Sequence, residues 1–358
     1  MSSQPVHSSD ERYMQRALDL AVNGLGSVRP NPVVGCVIVH NGRIIGEGWH
    51  RNYGGPHAEV NAVNSVSDPS LLAEATVYVT LEPCAHYGKT PPCADLLVEK
   101  NVKRVVICNE DPNPLVNGGG ITRMKEAGIT VTSGVLADKG EWINRRFFTF
   151  MRRKRPYLIL KWARTADGFT AREDYSSKWI SNSLSRKVVH KFRAEEHAIM
   201  VGRQTALYDD PKLDVRDWEK ISSDPVRILI DRQMKLPGTR PGLRLFDGSV
   251  PTLLFHSSGQ APAIEGVDYV QVGHDTFLED MMHALHQRSI QSVLVEGGTT
   301  LHDLLIENNL WDEMRVFTGG SLFGKGLPAP KVAGERIATE KLREDTLEIF
   351  INEQNTPE

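Results

Sequence analysis

His57 and Glu59 in the run Pro56-His57-Ala58-Glu59-Val60, the triplet Glu82-Pro83-Cys84, and Cys93 are the residues best suited to chemistry. One imidazole and two thiolates make a three-ligand set of soft donors, which suits zinc. A structural zinc is closed by a fourth protein ligand. Three ligands leave one position to water, whose pKa the metal lowers to about 7. His57 and Glu59 stand two residues apart at the start of a predicted helix, so the carboxylate can sit beside the metal without ligating it. Such a carboxylate can take a proton from the water and hand it to a substrate nitrogen, then to departing ammonia. His86 leaves a second option open, a closed Cys2His2 site with a purely structural zinc.

A second candidate lies far along the chain, in the run from Val293 to Leu305, VLVEGGTTLHDLL. An apolar strand followed by Gly297-Gly298, two threonines and a helix presents backbone amides and the positive end of a helix dipole, a natural phosphate cradle. The order of glycines is not the dinucleotide fingerprint G-x-G-x-x-G, and a Gly-Gly turn is by itself often only a tight connection.

The elements that must position these groups follow from periodicity. Met14, Ala17, Leu18, Ala21 and Val22 recur at helical spacing. VVGCVIVH and RIIGEGWH flank Asn41-Gly42 and predict a hairpin with a type I′ turn. A helix is expected from Pro56, with Val60, Val63 and Val66 on one face. TVYVTL and VKRVVIC read as strands buried on both faces, with helices over ADLLVEK and ITRMKEAG. The basic run Arg145-Arg146 and Arg152-Arg153-Lys154-Arg155, ending at Pro156, reads as a solvated helix end or linker. It sets a boundary between domains 1–152 and 153–358. Beyond it, PYLILKWA, AIMVG, VRILIDR, TLLFHSS, SVLVEGG and LEIFINE alternate with three helical segments, a second α/β unit containing no cysteine.

Bulk composition narrows the classes. The 358 residues hold 42 Lys+Arg against 45 Asp+Glu, a formal charge of −3, with 40% hydrophobic residues. That balance gives no field to hold a polyanion, so a nucleic-acid partner is not expected. No apolar run suits a bilayer, and the first residues lack a secretion signal, so a cytoplasmic, membrane-independent protein is expected. Four cysteines are too few for a disulfide framework. Cys36 and Cys108 lie in Val/Ile-rich strands and read as buried structural thiols, which leaves Cys84 and Cys93 for the metal.

His-x-Glu followed by a Pro-Cys pair is the combination used by the zinc deaminases of nucleobases. Those acting on nucleosides and nucleic acids usually carry Pro-Cys-x-x-Cys, whereas eight residues intervene here. RPNPVVGCVIV, GPHAEVNAV, YVTLEPCAHYGKTPPCADLL and DPNPLVNGGG resemble the deaminase half of the bifunctional riboflavin-biosynthesis deaminase–reductases. KWARTADGFTA, SSKWISN, VGRQTALYDDPKLDVR and VEGGTTL resemble the reductase half, in order, from about 156 to 350. The resemblance implies an N-terminal cytidine-deaminase-like α/β/α layer domain and a C-terminal dihydrofolate-reductase-like α/β domain. It implies zinc on His57, Cys84 and Cys93 with Glu59 as proton shuttle, acting on a phosphorylated ribosylamino-diaminopyrimidinone, a small-molecule substrate.

For the second half the resemblance implies NADPH held by Ala163, Trp179, Thr205, Asp209 and the loop Gly298, Thr299, Thr300, Leu301, His302, Asp303 and Leu304. It implies substrate contacts from Ser177, Arg193, Leu213, Arg216 and Glu296, the two arginines gripping a phosphate. Lys161 and Glu296 are candidates to supply or orient the proton accompanying hydride transfer, and self-association into a homo-oligomer is expected. Two departures stand out. Gly118-Gly119-Gly120 lacks the basic residue that relatives carry between glycines, which shifts any phosphate contact to Lys89 or backbone amides. Arg203-Gln204 precedes Thr205. The alternatives are a nucleoside or nucleic-acid zinc deaminase with an accessory domain, and a non-catalytic zinc-stabilised nucleotide-binding protein.

Overall fold

A computed structural model describes residues 9–86, 91–113, 116, 118–177, 180–219, 224–260 and 262–355. The chain divides into two compact units, Met1–Arg153 and Lys154–Glu358. Trp179 and Lys89 lie outside the described residues. Among the described residues, no helix is long and apolar enough to cross a membrane.

The first unit is a five-stranded sheet between two helical layers. After α1 (Ser9–Ala21) come β1 (Gly35–His40) and β2 (Arg43–Trp49), joined at Asn41 (φ 49°) and Gly42 (φ 75°), the two left-handed residues that a type I′ turn requires. Next are α2 (Ala58–Asn64), β3 (Thr76–Leu81), α3 (Cys93–Glu99), β4 (Arg104–Asn109), α4 (Gly119–Glu126), β5 (Thr130–Ser133), α5 (Ala137–Ile143) and α6 (Arg145–Arg153). Strand order is β2-β1-β3-β4-β5, with β3, β4 and β5 mutually parallel. Alternation sorts side chains between layers. Cys36, Val79 and Ile107 pack with α2, α3 and α4 on one face. Val37, Tyr78 and Cys108 pack with α1 on the other. Both cysteines are buried, and burial pushes the Cys108 thiol up to about 12. At Gly48 a Cβ would stand 2.4 Å from the Ala62 nitrogen. The bare glycine therefore lets α2 lie directly on β2. The predicted start of that helix at Pro56 moves to Ala58, with His57 as N-cap.

The second unit is built on a nine-stranded sheet and a two-stranded one. In chain order its elements are β6 (Tyr157–Arg164), β7 (Phe169–Ala171), α7 (Ser183–Glu195), β8 (Ala198–Gly202), α8 (Arg203–Asp209), β9 (Val226–Ile230), α9 (Lys235–Thr239), β10 (Thr252–His256), β11 (Val267–Gln271), α10 (Phe277–Gln287), β12 (Ser292–Gly297), α11 (Thr299–Glu307), β13 (Glu313–Thr318), β14 (Leu327–Pro328), β15 (Glu335–Leu342) and β16 (Asp345–Ile351). The large sheet runs β11-β10-β9-β8-β12-β6-β13-β16-β15, and β7 pairs with β14 apart from it. Its first seven strands are parallel, and β16 and β15 close it as an antiparallel hairpin. Leu158, Leu160 and Trp162 of β6 face α10 and α11, and Tyr157 and Ile159 face α7.

The basic run is solvated in part: Arg152 and Arg153 end α6 exposed, as is Lys154, whereas Arg146 and Arg155 are buried. Arg152 pairs with Glu141 at 2.6 Å and lies over the Phe148 ring. Arg155 is buried, and its Nη1 and Nη2 donate to Asp312 at 2.6 and 2.8 Å. The partners of Arg152 and Arg155 are ones that a charge count along the sequence does not reveal.

Candidate functional site

Three separate segments converge in the first unit. His57 caps α2, Cys84 follows the end of β3, and Cys93 opens α3. His57 Nδ1 stands 3.6 Å from Cys84 Sγ and 3.3 Å from Cys93 Sγ. Tetrahedral zinc with bonds of about 2.0–2.1 Å to nitrogen and 2.3 Å to sulfur needs N···S separations of roughly 3.5 Å, so the three donors fit that ion. Among the described residues these three form the only such group of His, Cys, Asp and Glu, and His86 is not a member. The closed Cys2His2 option therefore loses its fourth ligand. The sulfurs titrate as a pair: a hydrogen bond from Cys93, then His57, lowers the Cys84 thiol, and Cys93 is raised in turn.

Glu59 lies in the first turn of α2, 3% exposed, with its carboxylate hydrogen-bonded to Cys93. Burial, followed by the charge on Cys84, raises it to about 7. A divalent cation on the neighbouring ligands would act in the opposite sense. Glu59, His57 and Cys84 open onto a cavity of about 310 Å³.

Glu82 holds the surrounding loops. Its carboxylate accepts backbone N–H bonds from Asp111 (3.3 Å), Gly118 (3.1 Å), Gly120 (2.9 Å) and Ile121 (3.2 Å). A Cβ at Gly120 would stand 2.0 Å from the Pro83 carbonyl oxygen, so that position must be glycine. At Gly119 the nearest atom would be the Ala85 Cβ at 3.4 Å, an ordinary contact. Position 119 therefore has room for a Cβ. His50, Asn31, Asp111 and Asn113 also line the cavity. Residue chemistry alone singled out none of them, although they lie in or beside the motifs that carried the resemblance.

In the second unit a larger cavity, about 930 Å³, opens at the carboxyl ends of the parallel strands, where ligands of such sheets bind. Lys161, Ala163, Ser177, Arg193, Thr205, Asp209, Leu213, Arg216, Glu296, Gly298, Thr299, Thr300 and His302 all line it. Leu301, Asp303 and Leu304 do not: Leu301 is packed into the core, on the sheet side of α11. Gly298, with φ 88°, caps α11 and leaves its first amides facing the cavity. This cradle fits a dinucleotide phosphate.

Register explains how Glu296 enters. Against β8, the pairing of β12 slips between Val295 and Gly297, so Glu296 is the residue of a bulge. Bulges re-aim side chains. Glu296 accepts from Arg193 Nε at 2.6 Å and Nη2 at 2.8 Å, and Lys161 Nζ lies 3.9 Å away. Burial alone would raise the Glu296 carboxyl, but the charges of Arg193 and Lys161 outweigh it and hold the group at about 2. Burial lowers Lys161, partly offset by Glu296.

The two roles left open between Lys161 and Glu296 divide by charge: Glu296, held as an anion by Arg193 and Lys161, suits the orienting role, and Lys161 the supply of the proton. Arg193 is committed to Glu296 and to the Asp214 carbonyl, so three of its five donors are taken. Arg216, anchored on Asp214 with its side chain 56% exposed, is the arginine that presents its guanidinium.

Comparison with known proteins matches two family models to the chain. The cytidine and deoxycytidylate deaminase zinc-binding region covers residues 7–109, and the RibD C-terminal domain covers residues 156–353. The chain is 39% identical to the riboflavin biosynthesis protein RibD of Bacillus amyloliquefaciens over 339 residues, 93% of this chain and 90% of that protein. It is 38% identical to RibD of Escherichia coli over 342 residues, 88% and 89% of the two chains. A solved diaminohydroxyphosphoribosylaminopyrimidine deaminase / 5-amino-6-(5-phosphoribosylamino)uracil reductase from Thermotoga maritima superposes with a TM-score of 0.87 at 37% identity. That match covers 96% of this chain and 99% of the other.

Proposed function

The chain belongs to the RibD family of bifunctional deaminase–reductases of riboflavin biosynthesis, and from that premise we propose which of its own groups carry each half-reaction. It is a zinc-dependent deaminase and an NADPH-dependent reductase. The first activity hydrolyses the exocyclic amino group of 2,5-diamino-6-ribosylamino-4(3H)-pyrimidinone 5′-phosphate. The second reduces the ribosyl side chain of the product to ribityl.

For deamination, His57, Cys84 and Cys93 hold the zinc, which when bound supplies an activated water. Glu59 would take one proton from that water and deliver it to a ring nitrogen as the oxygen adds to carbon, then take the remaining hydroxyl proton and deliver it to the amino group, so ammonia departs and a carbonyl remains. Burial of Glu59 supports this role, because a carboxyl lifted toward neutrality can both take and give a proton. Neighbouring cavity groups orient the pyrimidine.

For reduction, NADPH when bound supplies the hydride, and the chain positions the acceptor carbon and moves the proton. Lys161 donates that proton. Glu296 fixes the Lys161 ammonium and keeps Arg193 in place. Arg216 meets the substrate phosphate, with Ser177 and Leu213 beside it. Ala163, Thr205, Asp209 and the Gly298–His302 turn hold the cofactor. The cavity is three times the volume of the deaminase one, which suits two ligands together.

The near-neutral charge supports a free phosphorylated pyrimidine, not a nucleic acid, as the substrate, and a cytoplasmic location fits four unpaired cysteines. Homo-oligomerisation is proposed on family grounds. The observation that carries the reading is the trio of soft donors at tetrahedral spacing beside a buried carboxylate. Incubation of the phosphorylated diaminopyrimidinone should release ammonia with or without NADPH. Nicotinamide absorbance should fall only after ammonia appears. Oxidation of NADPH by the aminated compound without ammonia release would overturn the assigned order.

A further inference from the structure

Two aromatic side chains of the reductase cavity have no role so far, Tyr175 and Tyr208. Their rings stack face to face, centroids 4.4 Å apart and planes 3° from parallel, and Tyr208 is 52% exposed. Tyr208 lies in α8, immediately before Asp209. Tyr175 is carried by a tight turn just after β7. In that turn the Tyr175 N–H donates to the Arg172 carbonyl, the Arg172 N–H donates to the Ser176 carbonyl, and Asp174 accepts from both the Ser176 N–H and hydroxyl. Tyr175 has φ 68°, in the left-handed region that bulky side chains avoid. The backbone therefore works against the placement of this ring. A second contact closes the same seam: the Ser177 hydroxyl donates to Asp209 Oδ1 at 3.1 Å. Ser177 and Asp209 are the groups given above to substrate and cofactor, and here they serve each other.

We propose that this seam is a latch released by ligand. The exposed face of Tyr208 is a stacking platform for a flat heteroaromatic ring of a reductase ligand, and Tyr175 covers it until that ring takes its place. The inference rests on the reductase reading of the cavity. Both ligands of that reading carry flat rings, and a tyrosine face stacks on any of them. The cover is held over Tyr208 by the ring stack, with the Ser177–Asp209 bond beside it and an unfavourable φ at Tyr175, so a competing ring can displace it. Its departure relaxes Tyr175 and turns the Ser177 hydroxyl and Asp209 Oδ1 toward the polar parts of the ligand.

Calorimetric titration of the full-length protein tests this with three probes: NADPH, 2′,5′-ADP and the deaminated pyrimidine phosphate. Tyr208→Ala should weaken one of them about tenfold, and Tyr208→Phe, which keeps the ring, should match the unsubstituted protein. Tyr175→Ala should tighten the same probe about threefold by removing the competitor. Loss with both NADPH and 2′,5′-ADP assigns the platform to adenine, with NADPH alone to nicotinamide, and with the pyrimidine alone to the substrate. Unchanged binding of all three to Tyr208→Ala, or weaker binding to Tyr175→Ala, would overturn the latch while leaving the reductase intact. If the unsubstituted protein bound neither NADPH nor the pyrimidine, the reductase reading itself would fall.

Discussion

Two buried glutamates mark the difference between the sites. Glu59 and Glu296 are the same residue type, both withdrawn from water, yet their carboxyls lie at about 7 and about 2. Around Glu59, burial dominates and the charge on Cys84 adds to it, so the group is poised to exchange protons. Around Glu296, Arg193 and Lys161 outweigh burial, so the group is a permanent anion that organises cations. Burial does not decide the role of a carboxyl; its neighbours do. Where a metal ion brings the positive charge, the chain supplies soft donors and one exchangeable acid. Where the cofactor brings the hydride, the chain must supply its own ion cluster.

The strongest test of this contrast removes the exchangeable acid alone. Glu59→Gln should retain zinc, measured by atomic absorption, and lose deamination by about 10³-fold, roughly 4 kcal/mol of barrier. Its reduction of supplied deaminated substrate should be unchanged. Lys161→Met should do the reverse, lowering NADPH oxidation about 10²-fold without touching ammonia release. Loss of both activities in either variant would erase the separation.

Glu296→Gln sharpens the comparison through pH. Reduction needs the Lys161 ammonium, so activity falls as pH rises through its pKa, which burial sets below the ordinary lysine value. Glu296 holds that pKa up. Its loss should move the alkaline limb of the rate profile to lower pH, with roughly tenfold less activity at the former optimum. The orphaned Arg193 should also cost about 3–5 kcal/mol of stability, visible as a lower unfolding midpoint. The smallest effect is expected from His86→Ala, which should leave zinc stoichiometry as it was. Zinc loss there would restore the closed structural site.

Much of this was legible in the sequence because it is written in contiguous runs. The Asn41-Gly42 hairpin, the doubly buried strands and the His57–Cys84–Cys93 set follow from local spacing. What stayed hidden depends on pairs far apart in the chain. β13 did not read as a strand because Glu313 and Arg315 interrupt its apolar residues. The two pair with each other at 2.6 Å inside the fold, so the strand is buried despite its charges. The bidentate bond between Arg193 and Glu296 joins residues 103 positions apart, and neither motif announces it. Glu82 was noted beside Cys84, but its grip on four amides from 111–121 has no sequence signature.

The placement of the two cysteines has a consequence for how their sulfurs are held. Cys84 is fixed from the N-terminal side, by β3 and by the Glu82 anchor. Cys93 is fixed by α3, and bonds from the Cys93 and Ala94 amides to the Cys84 sulfur and carbonyl join the ends. Ligand geometry is thus set outside the eight intervening residues. In this chain, unlike the shorter Pro-Cys-x-x-Cys deaminases, a clasp between the two ligand segments, from the Cys93 and Ala94 amides to Cys84, does the work of keeping the sulfurs in register.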